Sequence, residues 1–465
     1  MTPALTIEDL HAHAGDAVLL RGVSLAVVPG VPLTILGETG SGKTLVAEAA
    51  MGTLAPELAA SGRVALGGAV SEAGAPDARR GLWGRGIALL PQEPWLALDP
   101  TQRVLAQVAE GHRFIRGLAA SEARARARED LAALGLADAV RRYPHQLSGG
   151  MAQRVAVAAA RAGGAPLLLA DEPTKGLDAD LRDAVVALLR GALEAGGALL
   201  CITHDIAVAR ALGGEIMVML RGEVVERGPT AQVLGAPRHA YTRRLLAAEP
   251  QAWAERARPV PGAEVLSATG LAAERGGRRL FAGLDLAVGA GEWVAVTGPS
   301  GCGKTTLGNI LLGLLQPVAG AVRRRGGLAR TRYQKLYQDP VATFAPRLDL
   351  RTALAEAARL HAVPWAQVAA MLDRLRVADA LLDRRPDQVS GGELQRIAIA
   401  RALLPDPVFL FADEPTSRLD PITQQETMEV LRDVSAERGL AVLLVTHDQA
   451  MARKVAGRQL VLPGP

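Results

Sequence analysis

Short apolar runs recur along the chain, and each stops at a polar residue of a restricted kind. Leu5-Thr6-Ile7, Ala17-Val18-Leu19-Leu20 and Val23 to Val27 read as strands, closed by a turn at Pro29-Gly30. Val31 to Leu36 is a buried strand that runs into Gly37-Glu38-Thr39-Gly40-Ser41-Gly42-Lys43-Thr44, and Leu45 to Ala50, rich in helix formers, follows. Arg63 to Leu66 predicts another strand, and Ser71 to Gly81, polar and bearing Gly and Pro, a loop. Ile87 to Leu90 ends in Pro91-Gln92. Thr101 to Ala139 reads mostly as helix, with Arg124, Arg126 and Arg128 beside Glu122, Glu129 and Asp130 as a solvated face. Leu167 to Ala170 ends in Asp171-Glu172, and Leu199 to Ile202 ends in Thr203-His204-Asp205.

The same order returns in the second half. Trp293 to Val296 precedes Gly298-Pro299-Ser300-Gly301-Cys302-Gly303-Lys304-Thr305; Tyr337-Gln338, Phe409 to Ala412 with Asp413-Glu414, and Thr446-His447 follow. Lys43 and Lys304 are 261 positions apart, Glu172 and Glu414 242, His204 and His447 243. The second copy is therefore 19 residues shorter between its glycine-rich loop and its acidic strand end, and in register afterwards. A repeat of this kind is a duplication of a whole domain.

Both loops fit G-x-x-x-x-G-K-[ST] between a strand and a helix. Glycines let backbone N–H groups turn toward an anion, and the helix start adds partial positive charge. Lys43 and Lys304 supply a point charge for β- and γ-phosphates; Thr44 and Thr305 offer a hydroxyl to Mg²⁺. Ser148-Gly149-Gly150 and Ser390-Gly391-Gly392 each open a helix, a second anion-binding device where an ordinary serine cap is the plainer alternative. Asp171 and Asp413 are placed to hold Mg²⁺, and Glu172 and Glu414 to polarise a water as general base. Gln92 and Gln338 can reach a metal or water near the phosphates, and His204 and His447 a γ-phosphate.

Composition narrows the field. The 465 residues favour two or three domains. Aromatics make up 3%, so the cores must be built from Ala, Leu and Val. A net charge of +4 does not by itself argue for nucleic acid and suits a protein near an anionic membrane surface. Cys201 and Cys302 exclude a disulfide framework and a four-cysteine metal site, and fit a reducing cytoplasm. No apolar run is long enough to cross a bilayer, and no secretory signal is expected at the N-terminus. Five prolines between Gly228 and Gly262 place an interdomain linker at 249–262, between domains at 1–248 and 263–465. Arg323-Arg324-Arg325 reads as a solvated basic turn.

Five elements in fixed order, twice over, resemble the ATP-binding cassette (ABC) ATPases with two fused nucleotide-binding domains. Gly37 to Thr44 and Gly298 to Thr305 match the family's Walker A, Gln92 and Gln338 its Q-loop, and the two Ser-Gly-Gly stretches its signature. Asp171 and Asp413 match its Walker B aspartate, Glu172 and Glu414 the catalytic glutamate, Asp178 and Asp420 the D-loop, His204 and His447 the H-loop. The resemblance implies an α/β fold: two tandem P-loop NTPase domains, each a mixed sheet core with an α-helical subdomain and an N-terminal antiparallel β subdomain. It implies ATP and Mg²⁺, a head-to-tail pair of domains with each ATP between the Walker A of one half and the signature of the other, and two competent sites.

The Q-loop regions, Gln92 to Pro100 and Gln338 to Arg347, look like those of the peptide/nickel importer group, as does the segment Pro237-Arg238-His239-Ala240-Tyr241-Thr242-Arg243-Arg244-Leu245-Leu246. That group's membership implies the energy-coupling subunit of an importer, on the cytoplasmic face of the bacterial inner membrane, with two permeases and a solute-binding protein as partners and no nucleic acid. A cassette of the carbon–phosphorus lyase system, or a soluble protein acting on ribosomes or DNA, is the alternative. The family usually stacks adenine on an aromatic before Walker A, and no Tyr, Phe or Trp precedes the loop in the first half; His11 or His13 there, and Arg275 in the second half, are the candidates.

Overall fold

A computed structural model of the chain describes residues 2–75, 77–92, 97–175, 177, 179–256, 260–299, 301–417 and 419–463. It divides into two compact units, Met1–Leu246 and Ala247–Pro465.

In the first unit the strand Leu33–Gly37 is buried at every position. It lies parallel between Ala198–Thr203 and Glu215–Leu220, and covered on both faces it has no polar side to present, hence its unbroken apolar run. Among the described residues six strands form this sheet, in the order Glu223–Pro229, Glu215–Leu220, Leu33–Gly37, Ala198–Thr203, Leu167–Asp171, Ile87–Leu90, with the first antiparallel to the second. Parallel strands share one carboxyl edge, so Gly37, Thr203 and Asp171 arrive there together. A separate antiparallel sheet joins Ala17–Val27, Leu5–Ala14, Ala59–Leu66 and Ala69–Glu72. The helix Lys43–Met51 fills the space between the sheets, with Val46, Ala47, Ala49 and Ala50 packed among Leu5, Ile7, Ile35 and Leu200. A helical layer of Val104–Glu110, Ala120–Ala133 and Gly149–Ala162 has its own aliphatic core of Leu98, Val108, Ala127, Leu131 and Val155.

The stretch 101–139 is mostly helical, in separate pieces: Val104–Glu110 continues as a π-turn, Gly111–Ile115, and the helix stops before Gly117, which takes φ +74°, with Ala120–Ala133 beginning afresh. The supposed loop 71–81 holds the end of a strand and a helical turn, Asp77–Arg80. Arg79 is buried there, and its guanidinium donates to Ser71 Oγ, Glu72 O and Ala73 O, tying the segment down.

The second unit repeats the plan. Among the described residues its strands run parallel in the order Tyr333–Leu336, Phe409–Asp413, Ala441–Val445, Trp293–Thr297, Arg458–Val461, beside an antiparallel sheet of Arg278–Gly289, Glu264–Arg275 and Ala319–Arg324. The helices Leu350–Leu360, Trp365–Arg374 and Gly391–Leu403 make the helical layer. Within the proline-bearing stretch read as a linker, Trp253 is buried in this unit's core beside Trp293, and its indole N–H donates to Ala248 O at 2.8 Å. The reading of Arg323 to Arg325 as a solvated turn fails at Arg324. It ends a strand, and its guanidinium donates to Leu311 O at 3.0 and 2.7 Å, closing the carbonyl end of the helix Lys304–Leu312.

Candidate functional site

Each glycine-rich loop turns into its helix through a left-handed residue, Gly42 at φ +94° and Gly303 at φ +102°. A side chain at Gly42 would meet Leu20 Cδ2 at 2.6 Å, so both the turn and the packing require glycine. The lysine that follows folds back over its own loop. Lys43 Nζ donates to Gly37 O (2.9 Å) and Glu38 O (2.8 Å); Lys304 Nζ donates to Gly298 O (2.8 Å) and Pro299 O (3.0 Å). Ser41 and Cys302 are buried behind the loops, where a side chain on Gly37 or Gly298 would run into them. An anion in either loop would therefore meet their backbone and not their side chains. Thr39, Gly40 and Gly301 are exposed on the outer side of the turn, and Ser300 lies outside the described residues.

At the edge of each sheet the acidic pair ends its strand with a sharp backbone reversal. Glu172 and Glu414 both sit at positive φ, +47° and +48°, a conformation that costs a non-glycine residue of order 1 kcal/mol or more and that clusters at functional sites. Their N–H groups are anchored on the neighbouring strand, Glu172 to Ile202 O at 2.8 Å and Glu414 to Val445 O at 3.1 Å. The reversal aims each carboxylate at a histidine: Glu172 Oε1 lies 2.8 Å from His204 Nδ1, and Glu414 Oε1 lies 2.7 Å from His447 Nε2. The next residue fixes the histidine. Asp205 accepts from Ala207 N and Val208 N, and Asp448 from Ala450 N and Met451 N, so each caps the helix that begins there.

The electrostatics follow the geometry. Burial pulls the Glu172 carboxyl up, but the His204 charge beside it outweighs this and the net displacement is downward. Burial presses His204 down, and Glu172 reverses that to a net rise. Each group thus favours the charged form of the other. Asp171 is pushed up to about 6 by burial and then by the Glu172 charge, against Lys43 and a hydrogen bond from Thr44. Burial likewise raises Asp413, opposed by a 3.2 Å hydrogen bond from Thr305 Oγ1 and by Lys335. Asp171 Oδ1 is buried without a hydrogen-bond partner among the described residues. A buried, orphaned carboxylate oxygen next to a threonine hydroxyl is a donor set that suits a hard divalent cation.

The remaining sequence candidates are placed less uniformly. Gln338 Nε2 donates to Glu414 Oε2 at 2.8 Å, while Gln92 is half-buried at the matching strand end. Ser148 and Ser390 are N-caps of the helices that start at Gly149-Gly150 and Gly391-Gly392, accepting from Met151 N and Glu393 N at 3.3 Å each. Ser390 also donates to Glu393 Oε2 at 2.7 Å in a capping box. Asp420 caps its own helix through Thr423. Asp178, Glu93, Pro94, Trp95 and Leu96 lie outside the described residues. His11 is held by Asp9 at 3.0 Å.

Two contacts escaped the sequence. Tyr241 is buried, and its hydroxyl accepts from Glu38 N at 2.8 Å, joining the helix Ala240–Ala247 to the first phosphate loop. Lys335 Nζ lies 3.8 Å from Asp413 Oδ2. The first had a signal in the tyrosine of the segment 237–246; the second had none, because a lysine in a strand carries no motif.

Comparison with known proteins now decides the assignment. The profile of the ABC transporter family matches residues 20–175 and 281–417. The chain belongs to the ABC transporter family. It is a tandem ABC ATPase, with one ATP-binding domain in each half. It is 34% identical to the peptidoglycan transport ATP-binding protein YejF of Agrobacterium fabrum, over 99% of this chain and 91% of that protein. It is 32% identical to the glutathione import ATP-binding protein GsiA of Salmonella typhi, over 97% and 82% respectively. Among solved structures, an RNase-L inhibitor superposes with a TM-score of 0.66 at 22% identity, covering 98% of this chain and 87% of that one, a likeness of fold.

Proposed function

We propose that this ABC ATPase is the energy-coupling subunit of an importer for peptides or peptide-like solutes, working at the cytoplasmic face of the inner membrane with two permease subunits and a solute-binding protein. Relatives named for peptidoglycan transport and glutathione import match it over nearly its whole length. Both named cargoes contain peptide units, which favours that class over nickel, cobalt or metal chelates. No helix among the described residues is long and apolar enough to cross a membrane, so the spanning would fall to other chains.

The observation that carries the ATPase chemistry is the glutamate–histidine pair at the edge of each sheet, 2.8 Å in one half and 2.7 Å in the other. Both copies are intact, which supports two working sites. In this reading the backbone of Gly37 to Thr44 and of Gly298 to Thr305 cradles the phosphates, and Lys43 and Lys304 exchange loop carbonyls for β- and γ-phosphate oxygens. Glu172 and Glu414 accept a proton from the water that attacks the γ-phosphorus, giving ADP and phosphate. His204 and His447 orient those carboxylates and can donate to the γ-phosphate. Thr44, Asp171 and Gln92, with Thr305, Asp413 and Gln338, would hold Mg²⁺, which when bound neutralises charge on the β- and γ-oxygens. The signature residues 148–150 and 390–392 offer helix starts to a nucleotide, and Asp178 and Asp420 keep their reading as the D-loop aspartates.

The test is isolation of the tagged chain from detergent-solubilised native membranes, with identification of what accompanies it. Two integral membrane permeases are expected. Ribosomes, DNA or a soluble lyase complex instead would leave the ATPase chemistry standing and overturn the transport assignment.

A further inference from the structure

The two metal sites have different electrostatic surroundings. The strands that carry the Q-loop glutamines are in equivalent register: Leu90 pairs with Ala170, one residue before Asp171, and Leu336 pairs with Ala412, one residue before Asp413. Leu89 and Lys335 are therefore the same position. In the first half it is an exposed leucine. In the second it is a lysine whose ammonium lies 3.8 Å from Asp413 Oδ2 and donates to Asn309 Oδ1 at 2.9 Å. That ammonium also sits over two rings, 4.8 Å from the centroid of Tyr337 and 5.6 Å from that of Phe411. Its side chain is 11% exposed, so the charge is held in place and weakly screened. The helix position that meets it also differs. Asn309 stands five residues after Lys304, and Glu48 stands five after Lys43, where its charge acts on Asp171. Each aspartate has its phosphate-loop lysine and its adjacent glutamate; beyond these, Asp171 has a further acidic neighbour and Asp413 a further basic one.

We infer that Lys335 is a metal-tuning residue of the second half, a resident cation beside Asp413 that weakens divalent-metal binding there relative to the site at Asp171. The inference rests on the reading that Asp171 and Asp413 hold the metal. A dication entering beside Asp413 meets, besides the phosphate-loop lysine common to both halves, a second fixed positive charge that it must displace or repel; beside Asp171 the matching position is Leu89, and the additional charge there is the carboxylate of Glu48. With the effective dielectric of a partly buried site, a like charge a few ångströms away is worth at least about tenfold in binding. The two ATP sites would then load their metal–nucleotide at different metal concentrations, the first half before the second, although every motif residue is matched.

The experiment is a Mn²⁺ titration of the full chain with a non-hydrolysable ATP analogue, read by electron paramagnetic resonance as free against bound Mn²⁺. The wild-type chain should show two classes of site at least about tenfold apart. Lys335→Leu, which installs the first half's residue, should strengthen the weaker class and leave the stronger one alone. Leu89→Lys should weaken the stronger class, and because Leu89 is exposed it carries little folding risk. Two indistinguishable classes in the wild type, or a weaker class unmoved by Lys335→Leu, would overturn the inference. Asp413→Asn separates the two failures. If it abolishes the weaker class while Lys335→Leu does nothing, only the role of Lys335 falls; if it leaves both classes intact, the metal-site reading of Asp413 falls as well.

Discussion

Tyr241→Phe tests whether the helix Ala240–Ala247 braces the first phosphate loop. The substitution removes one hydroxyl and leaves the ring in its buried place. Glu38 N then loses the acceptor it has at 2.8 Å. A backbone N–H to hydroxyl bond of this kind is worth about 0.5–1.5 kcal/mol net, because a half-buried donor recovers part of the loss from water. If about 1 kcal/mol is lost and the loop geometry transmits all of it, ATP affinity at the first half falls about fivefold. The assay is fluorescent-nucleotide binding in a Lys304→Ala background, where only the first loop binds tightly. An unchanged affinity refutes the bracing role. The second half provides a sharper check, because Pro299 stands where Glu38 does and has no N–H to satisfy. In a Glu38→Pro background, Tyr241→Phe should have almost no effect on affinity. A fivefold loss that persists there would mean that the hydroxyl acts through something other than its bond to Glu38 N.

Three further outcomes are expected. Glu172→Gln combined with Glu414→Gln should slow phosphate release by roughly 10²–10⁴-fold with ATP still bound, the usual worth of a general base; turnover that survives both changes removes the glutamates from that role. Arg324→Met should destabilise the second unit by about 1–3 kcal/mol, since Leu311 O loses two charge-assisted donors, and denaturant unfolding of that unit measures it. Trp253→Ala should cost the second unit roughly 3–5 kcal/mol through the cavity left in its core, seen calorimetrically as a lowered transition of that unit alone; an unaltered transition would show that Trp253 adds nothing to that core.

The ends of the strands were legible because catalysis confines them. A phosphate loop needs glycine where φ turns positive at Gly42 and Gly303, and a hydrolytic site needs an acid and a histidine at strand ends that share one edge. Those demands act through residue type and order, so they survive in a one-dimensional reading, twice over. The buried apolar runs were equally plain, since strands covered on both faces carry no alternation that a polar substitution could blur.

Side-chain direction and long-range partnership were decided only in three dimensions. Arg324 looked solvated because its neighbours Arg323 and Arg325 are; strand alternation turns it alone toward the end of the phosphate-loop helix. Trp253 looked like part of a tether because prolines surround it, and its burial depends on a core assembled from residues distant along the chain. The partnership of Tyr241 with Glu38 spans 203 positions, and that of Lys335 with Asp413 spans 78. The sequence by itself determined which chemistry each half could perform, because that chemistry demands particular residues in a particular order. The tertiary structure decided how alike the two halves are, because a charge or hydroxyl acts on whatever lies within a few ångströms of it, and neither Lys335 nor Tyr241 has its target near it along the chain.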